Sequence, residues 1–112
     1  MQTSYFAKYK GDNGVSIALY TPKWFKGRTY KKLAPTSKLL FDYKNKKISD
    51  IEYIEIYKRD VLKKLNPKQV YEELGKDSVL LCFEKVGSFC HRHIVALWLE
   101  EELGIAIEEY MV

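Results

Sequence analysis

Two cysteines, three prolines and six glycines are all that this 112-residue chain contains of each, and each scarcity excludes something. Two cysteines behind a start, Met1-Gln2-Thr3-Ser4-Tyr5, that lacks a basic-then-apolar leader point to free thiols in a reducing compartment, and so to a cytoplasmic protein. With no Pro-, Gly- or Ser-rich tract and no repeat, residues 1–112 read as one domain. Long hydrophobic runs are missing as well. The longest uncharged apolar stretch, Ile94 to Leu99, is far too short to span a bilayer, so no membrane partner is expected. Neither Gly-x-Gly-x-x-Gly nor a Walker lysine loop occurs, which leaves a tightly bound dinucleotide or triphosphate without support and gives no cofactor. A phosphatase-type Cys-x5-Arg also fails, because that spacing leads from Cys82 to Ser88 and from Cys90 to Ala96. Cys82, Cys90, His91 and His93 stand on a strand and on adjacent helix positions instead of on the tight knuckles of structural zinc sites, so no metal is expected.

Acidic residues are scarce in the first part of the chain. Residues 1–70 hold sixteen Lys and Arg against six Asp and Glu, whereas residues 71–112 hold three against nine. The overall charge of +4 therefore hides a basic portion and an acidic one. Between Lys23 and Lys47, nine basic residues face only Asp42, with Trp24, Phe25, Tyr30, Phe41 and Tyr43 among them. Cations supply phosphate contacts and flat rings stack on bases, so this block suits a nucleotide or a nucleic acid. The plainer alternative is a solvated lysine-rich surface whose aromatics point inward.

Hydrophobic periodicity gives an α/β pattern. Strands are expected at Thr3–Lys8, Val15–Tyr20, Ser78–Glu84 and Ile105–Met111. Gly11-Asp12-Asn13-Gly14 breaks the first two, and Pro22 ends the second because it lacks a ladder donor. Pro35-Thr36-Ser37 opens a helix ahead of Leu39, Leu40 and Tyr43. Ser49 and Glu52 form a capping box for a helix carrying Ile54, Tyr57, Val61 and Leu65 on one stripe. Asn66-Pro67 starts another that buries Val70, Tyr71 and Leu74 and stops at Gly75. Ser88 is the expected cap of the last helix, which runs to Leu103 with Gly104 behind it. Helical crossovers between apolar strands predict a mainly parallel sheet of about four strands, with Val15–Tyr20 and Ser78–Phe83 adjacent and central.

The densest chemistry lies in Leu80-Leu81-Cys82-Phe83-Glu84-Lys85 and the following Cys90-His91-Arg92. A strand delivers Cys82 and Glu84 to its carboxyl end, where ligands sit in open α/β sheets. A helix start then presents a thiol, an imidazole and a guanidinium beside unpaired backbone N–H groups. Arg92 and His91 next to Cys90 are expected to lower its thiol pKa below that of Cys82.

These residues resemble the domain of unknown function 488 family, in which a strand ending Leu-Leu-Cys-x-Glu-Lys leads into Cys-His-Arg at a helix start. Tyr53 and Tyr57, ahead of Leu62, resemble that family's tyrosine-bearing helix, and Ile17-Ala18-Leu19-Tyr20 with Pro22 occupies the place of its second strand and basic loop. The chain departs from it in being short and in having Ala18-Leu19-Tyr20 where longer members carry Asp-Val-Arg. The resemblance implies a small three-layer α/β fold, flavodoxin-like or Rossmann-like, and no established activity.

Two functional readings follow, with a third beside them. In the first, Arg92, Cys82, Lys23, Trp24, Lys26, Arg28, Tyr53 and Tyr57 bind a phosphate-bearing small molecule or nucleic acid. In the second, the chain is a cysteine-dependent hydrolase or transferase with Cys90 as nucleophile and His91 or Glu84 moving protons. The third is a protein–protein interaction module, a monomer or homodimer using its opposed charges. Residues 90, 91 and 92 lie about 100° apart around a helix, so the triplet cannot all face one ligand.

Overall fold

A computed structural model describes residues 1–84 and 88–111. Five short strands form one all-parallel sheet: β1 (Gln2–Tyr5), β2 (Gly14–Ser16), β3 (Arg28–Thr29), β4 (Val79–Cys82) and β5 (Glu108–Glu109), in the order β3-β2-β4-β1-β5. The expected central pair is central and adjacent, with Val15 in register with Leu80 and Ser16 with Leu81. Every strand is shorter than its apolar run suggested, and Arg28–Thr29 adds a fifth that its basic sequence did not announce. Lys85, which closes the Leu-Leu-Cys-Phe-Glu-Lys run, and Gly87, which with Ser88 reads in the sequence as a turn before the last helix, lie outside the described residues.

Among the described residues, four α-helices, α1 (Ser37–Lys44), α2 (Asp50–Asp60), α3 (Pro67–Leu74) and α4 (His91–Leu103), and two short 3-10 turns, Lys31–Leu33 and Leu62–Lys64, complete the fold. Their ends follow local chemistry. The Thr36 hydroxyl accepts from Leu39 N, Ser49 and Glu52 close a reciprocal capping box, and Asn66 caps α3 with Pro67 in its first turn. Gly104 ends α4 at φ +66°, where a side chain would be strained. Ser88 does not cap α4; Cys90 occupies the N-cap position and makes no side-chain cap hydrogen bond. Glu100, an acid in the last turn of α4, accepts the Ile107 N–H at 2.8 Å and ties the chain beyond α4 back to it.

Strand alternation sorts the side chains onto two faces. Val15, Ile17 and Leu80 join Leu39, Tyr53, Tyr57, Val70, Leu74, Val95 and Leu99 in the main core, under the helices. Phe6, Ala18, Val79 and Leu81 point the other way, where Tyr9 and Phe25 cover them. The third layer is thus thin, built from loops. Because Cys82 has the same parity as Leu80, it faces the helices, as does Tyr5 opposite it in the register. Among the described residues, no helix is long and apolar enough to cross a membrane.

Candidate functional site

At the carboxyl ends of β2 and β4 the sheet opens into a cavity of about 260 Å³. Cys82, Cys90 and His91 form its floor, Tyr43, Tyr53, Phe89, Leu40 and Pro35 its walls, and Tyr20, Lys44, Phe83 and Glu84 its mouth. β4 delivers Cys82, the first turn of α4 delivers Cys90 and His91, and α1 and α2 lean the tyrosines over them. Tyr43, Tyr53 and Phe89 meet ring to ring, with Phe89 5.0 Å from Tyr43 and 5.1 Å from Tyr53. Such contacts hold a rigid aromatic wall.

Cys82 and Cys90 are joined by a disulfide, which corrects the expectation of free thiols. A separation of eight residues in sequence could not show that β4 and the start of α4 bring the two sulfurs together. His91 is buried and its Nε2–H donates to the Ile17 carbonyl at 2.8 Å. Nδ1 is then left unprotonated, 3.8 Å from the Cys90 sulfur. Burial pushes the imidazole down to about 4 against the pull of the Ile17 carbonyl, and nearby Arg92 pushes the same way, so His91 is neutral at pH 7. The ligand atoms of Cys82, Cys90 and His91 lie within 4.8 Å of one another, a donor set for a soft cation only once the disulfide is reduced.

Arg92 is placed differently from expectation. It is fully buried beneath the cavity and does not line it. Its Nε and Nη2 donate to the two carboxylate oxygens of Glu109 at 3.2 and 2.9 Å, and Nη1 donates to the Glu84 carbonyl and to the Cys82 sulfur, the latter at 2.9 Å. Burial alone would raise the Glu109 carboxyl, but hydrogen bonds from Arg92 and Thr3 outweigh it and hold the group below its usual range. The guanidinium therefore acts on Cys82, where the helix-start spacing had assigned it to Cys90.

The basic loop is not part of this cavity. Trp24 and Phe25 pack on Phe6 on the opposite face of the sheet. Lys23 and Lys26 are exposed, and Arg28 reaches the Leu74 carbonyl near the amino ends of the strands. Tyr57 lies one layer below the wall, stacked 6.1 Å from Tyr53, with its hydroxyl donating to the Leu33 carbonyl at 2.5 Å. Of the residues selected from sequence, the cavity gathers Cys82, Glu84, Cys90, His91 and Tyr53; Arg92 and Tyr57 support it from behind, and Lys23, Trp24, Lys26 and Arg28 stand apart. Sequence reasoning missed Tyr43 and Phe89 as walls and Lys44 at the mouth. It also missed Glu109, for which the only signal was an acid in a short strand beside the buried Ile107.

The family model for DUF488-N3a, described as the active DUF488-N3 subclade, matches residues 10–103. The chain belongs to this family. The match covers the cysteine pair, the tyrosine-bearing α2 and the basic loop of this DUF488-N3a protein, while β1 and β5 lie outside it. No curated protein and no solved structure matched the chain.

Proposed function

We propose that this DUF488-N3a protein is a cysteine-dependent enzyme that, in its reduced form, acts on a flat-ringed anionic ligand of nucleotide type held in the tyrosine-walled cavity. One observation carries the reading: the two sulfurs lie on the cavity floor, one receiving a guanidinium hydrogen bond and the other facing an unprotonated imidazole nitrogen. The family description, which carries the word active, is in keeping with it.

A guanidinium stabilises a thiolate, so reduction leaves Cys82 as the nucleophile and Cys90 as a thiol donating to Nδ1 of His91. His91 is too weak a base to replace that guanidinium, because burial opposes its charged form. The Cys82 thiolate attacks an electrophilic carbon of the ligand. An S–C bond forms as the bond to the leaving group breaks, and the leaving group departs with its electron pair and is protonated by water. A second water attacks the carbon, breaks the S–C bond and restores the thiolate, and its released proton neutralises the hydroxide left when the first water protonated the leaving group. The ring of the ligand stacks against Tyr43, Tyr53 and Phe89. Lys44 and the α4 start meet its anionic end, a smaller set of cations than the sequence offered.

The test uses protein reduced with a phosphine and a panel of purine and pyrimidine nucleoside monophosphates, read by thermal shift and by product analysis. Ligand-dependent stabilisation with turnover lost in Cys82→Ser, and binding retained, is expected. Stabilisation without turnover in the reduced protein overturns the enzyme reading. No stabilisation by any member of the panel overturns the choice of ligand.

A further inference from the structure

Outside the mouth of the cavity, three large aromatic side chains stand in solvent: Tyr20 is 67% exposed, Trp24 58% and Phe83 52%. Two of them sit on one buried ring, with Phe6 centred 4.9 Å from Phe83 and 6.3 Å from Trp24. Tyr20 and Phe83 also line the cavity, and Phe83 shares the Phe6 ring with Trp24, so one ring links the exposed loop to the cavity mouth. Cations frame this surface. Lys10 places its Nζ 5.2 Å from the centre of the Trp24 ring, and Lys23 and Lys26 flank that residue in the chain. Among the described residues, none of these three lysines forms an ion pair.

We infer that this surface binds single-stranded nucleic acid, with bases stacked on Trp24 and Phe83, phosphates on Lys10, Lys23 and Lys26, and one nucleotide turned into the cavity. Exposed rings gathered around one buried ring mark an interaction surface, and unpaired lysines beside them select a polyanion. Phe83, shared between these rings and the aromatic-walled cavity, favours a strand of nucleotides over a lipid surface, because enzymes that work on a base take it out of the stack into such a pocket. The inference deepens the proposed function by naming a polynucleotide as its substrate class. The stacking surface itself stands without the thiol chemistry.

Trp98→Phe leaves Trp24 as the sole tryptophan and hence the reporter. Titration with a single-stranded oligodeoxynucleotide of about ten residues is expected to quench Trp24 fluorescence, with affinity falling steeply as salt rises. Trp24→Ala, followed by polarisation of a labelled oligonucleotide, should weaken binding about tenfold or more. Lys23→Glu with Lys26→Glu should do the same while thermal unfolding stays unchanged, and neither variant should alter binding of a mononucleotide. Absence of quenching at low salt, affinity indifferent to the lysine reversals, or quenching by anionic phospholipid vesicles but not by the oligonucleotide would each overturn the inference. Mononucleotide binding with no gain for the oligonucleotide would overturn it and leave the cavity reading intact. Loss of the thiol chemistry alone, with oligonucleotide binding retained, would do the reverse.

Discussion

Arg92 donates to the sulfur of Cys82 at 2.9 Å from within an arginine–carboxylate pair that is itself closed off by Glu109. Among the described residues, the guanidinium reaches the cavity through this sulfur and the Glu84 carbonyl. It conveys charge to the site without being open to a ligand.

The order of thiol reactivity follows. In reduced protein at mildly acidic pH, Cys82 should be alkylated before Cys90, because a guanidinium hydrogen bond favours a thiolate and a neutral imidazole does so less. Peptide mapping after a timed pulse of iodoacetamide reads the order. Faster labelling of Cys90 would remove Cys82 from the nucleophile role.

The same pair should govern stability unevenly. Arg92→Met strips the partner from Glu109 and a donor from the Glu84 carbonyl, and should cost about 3–5 kcal/mol. Glu109→Gln keeps a polar partner for Arg92 and Thr3 and should cost less, about 1–3 kcal/mol. Urea unfolding of the two variants distinguishes them, and equal losses would contradict the geometry.

Acid should weaken the fold through His91. The unfolded imidazole binds its proton near 6.5 and the folded one only at about 4. Between those values the unfolded chain holds the extra proton, so stability is complete above pH 6.5 and declines as pH falls toward 4, by about 3 kcal/mol from this group. His93 is shifted in the same direction, mainly by burial. Urea unfolding of the disulfide-bonded protein at stepped pH measures the decline. His91→Gln should make it shallower.

Tyr53 and Tyr57 should separate by function. Tyr57→Phe leaves the buried Leu33 carbonyl without its donor and should cost about 1–3 kcal/mol, with little change in nucleotide binding. Tyr53→Leu removes a wall ring and should weaken binding of the same nucleotide panel. Thermal unfolding with and without nucleotide resolves both effects.

Much of this architecture is legible in the chain because its causes are local. Ser49 with Glu52, Asn66 with Pro67, and Gly104 behind an apolar stripe mark helix ends through groups only a few residues apart. Val15 and Leu80 announce central strands because burial on both faces selects branched apolar residues. The strand that ends at Cys82 and the helix that starts after Cys90 also place those thiols near a sheet's carboxyl edge. Which sulfur the guanidinium touches was decided by the tertiary structure. The rotation of α4 and its packing on β1 and β4 aim Arg92 at Cys82, and β5 brings Glu109 to meet it from 17 residues away. The basic loop shows the same division. Its charge is a property of composition, but Phe6 seats Trp24 and Phe25 on the far face of the sheet, because ring-to-ring edge contacts act at close range while charges across solvent are screened.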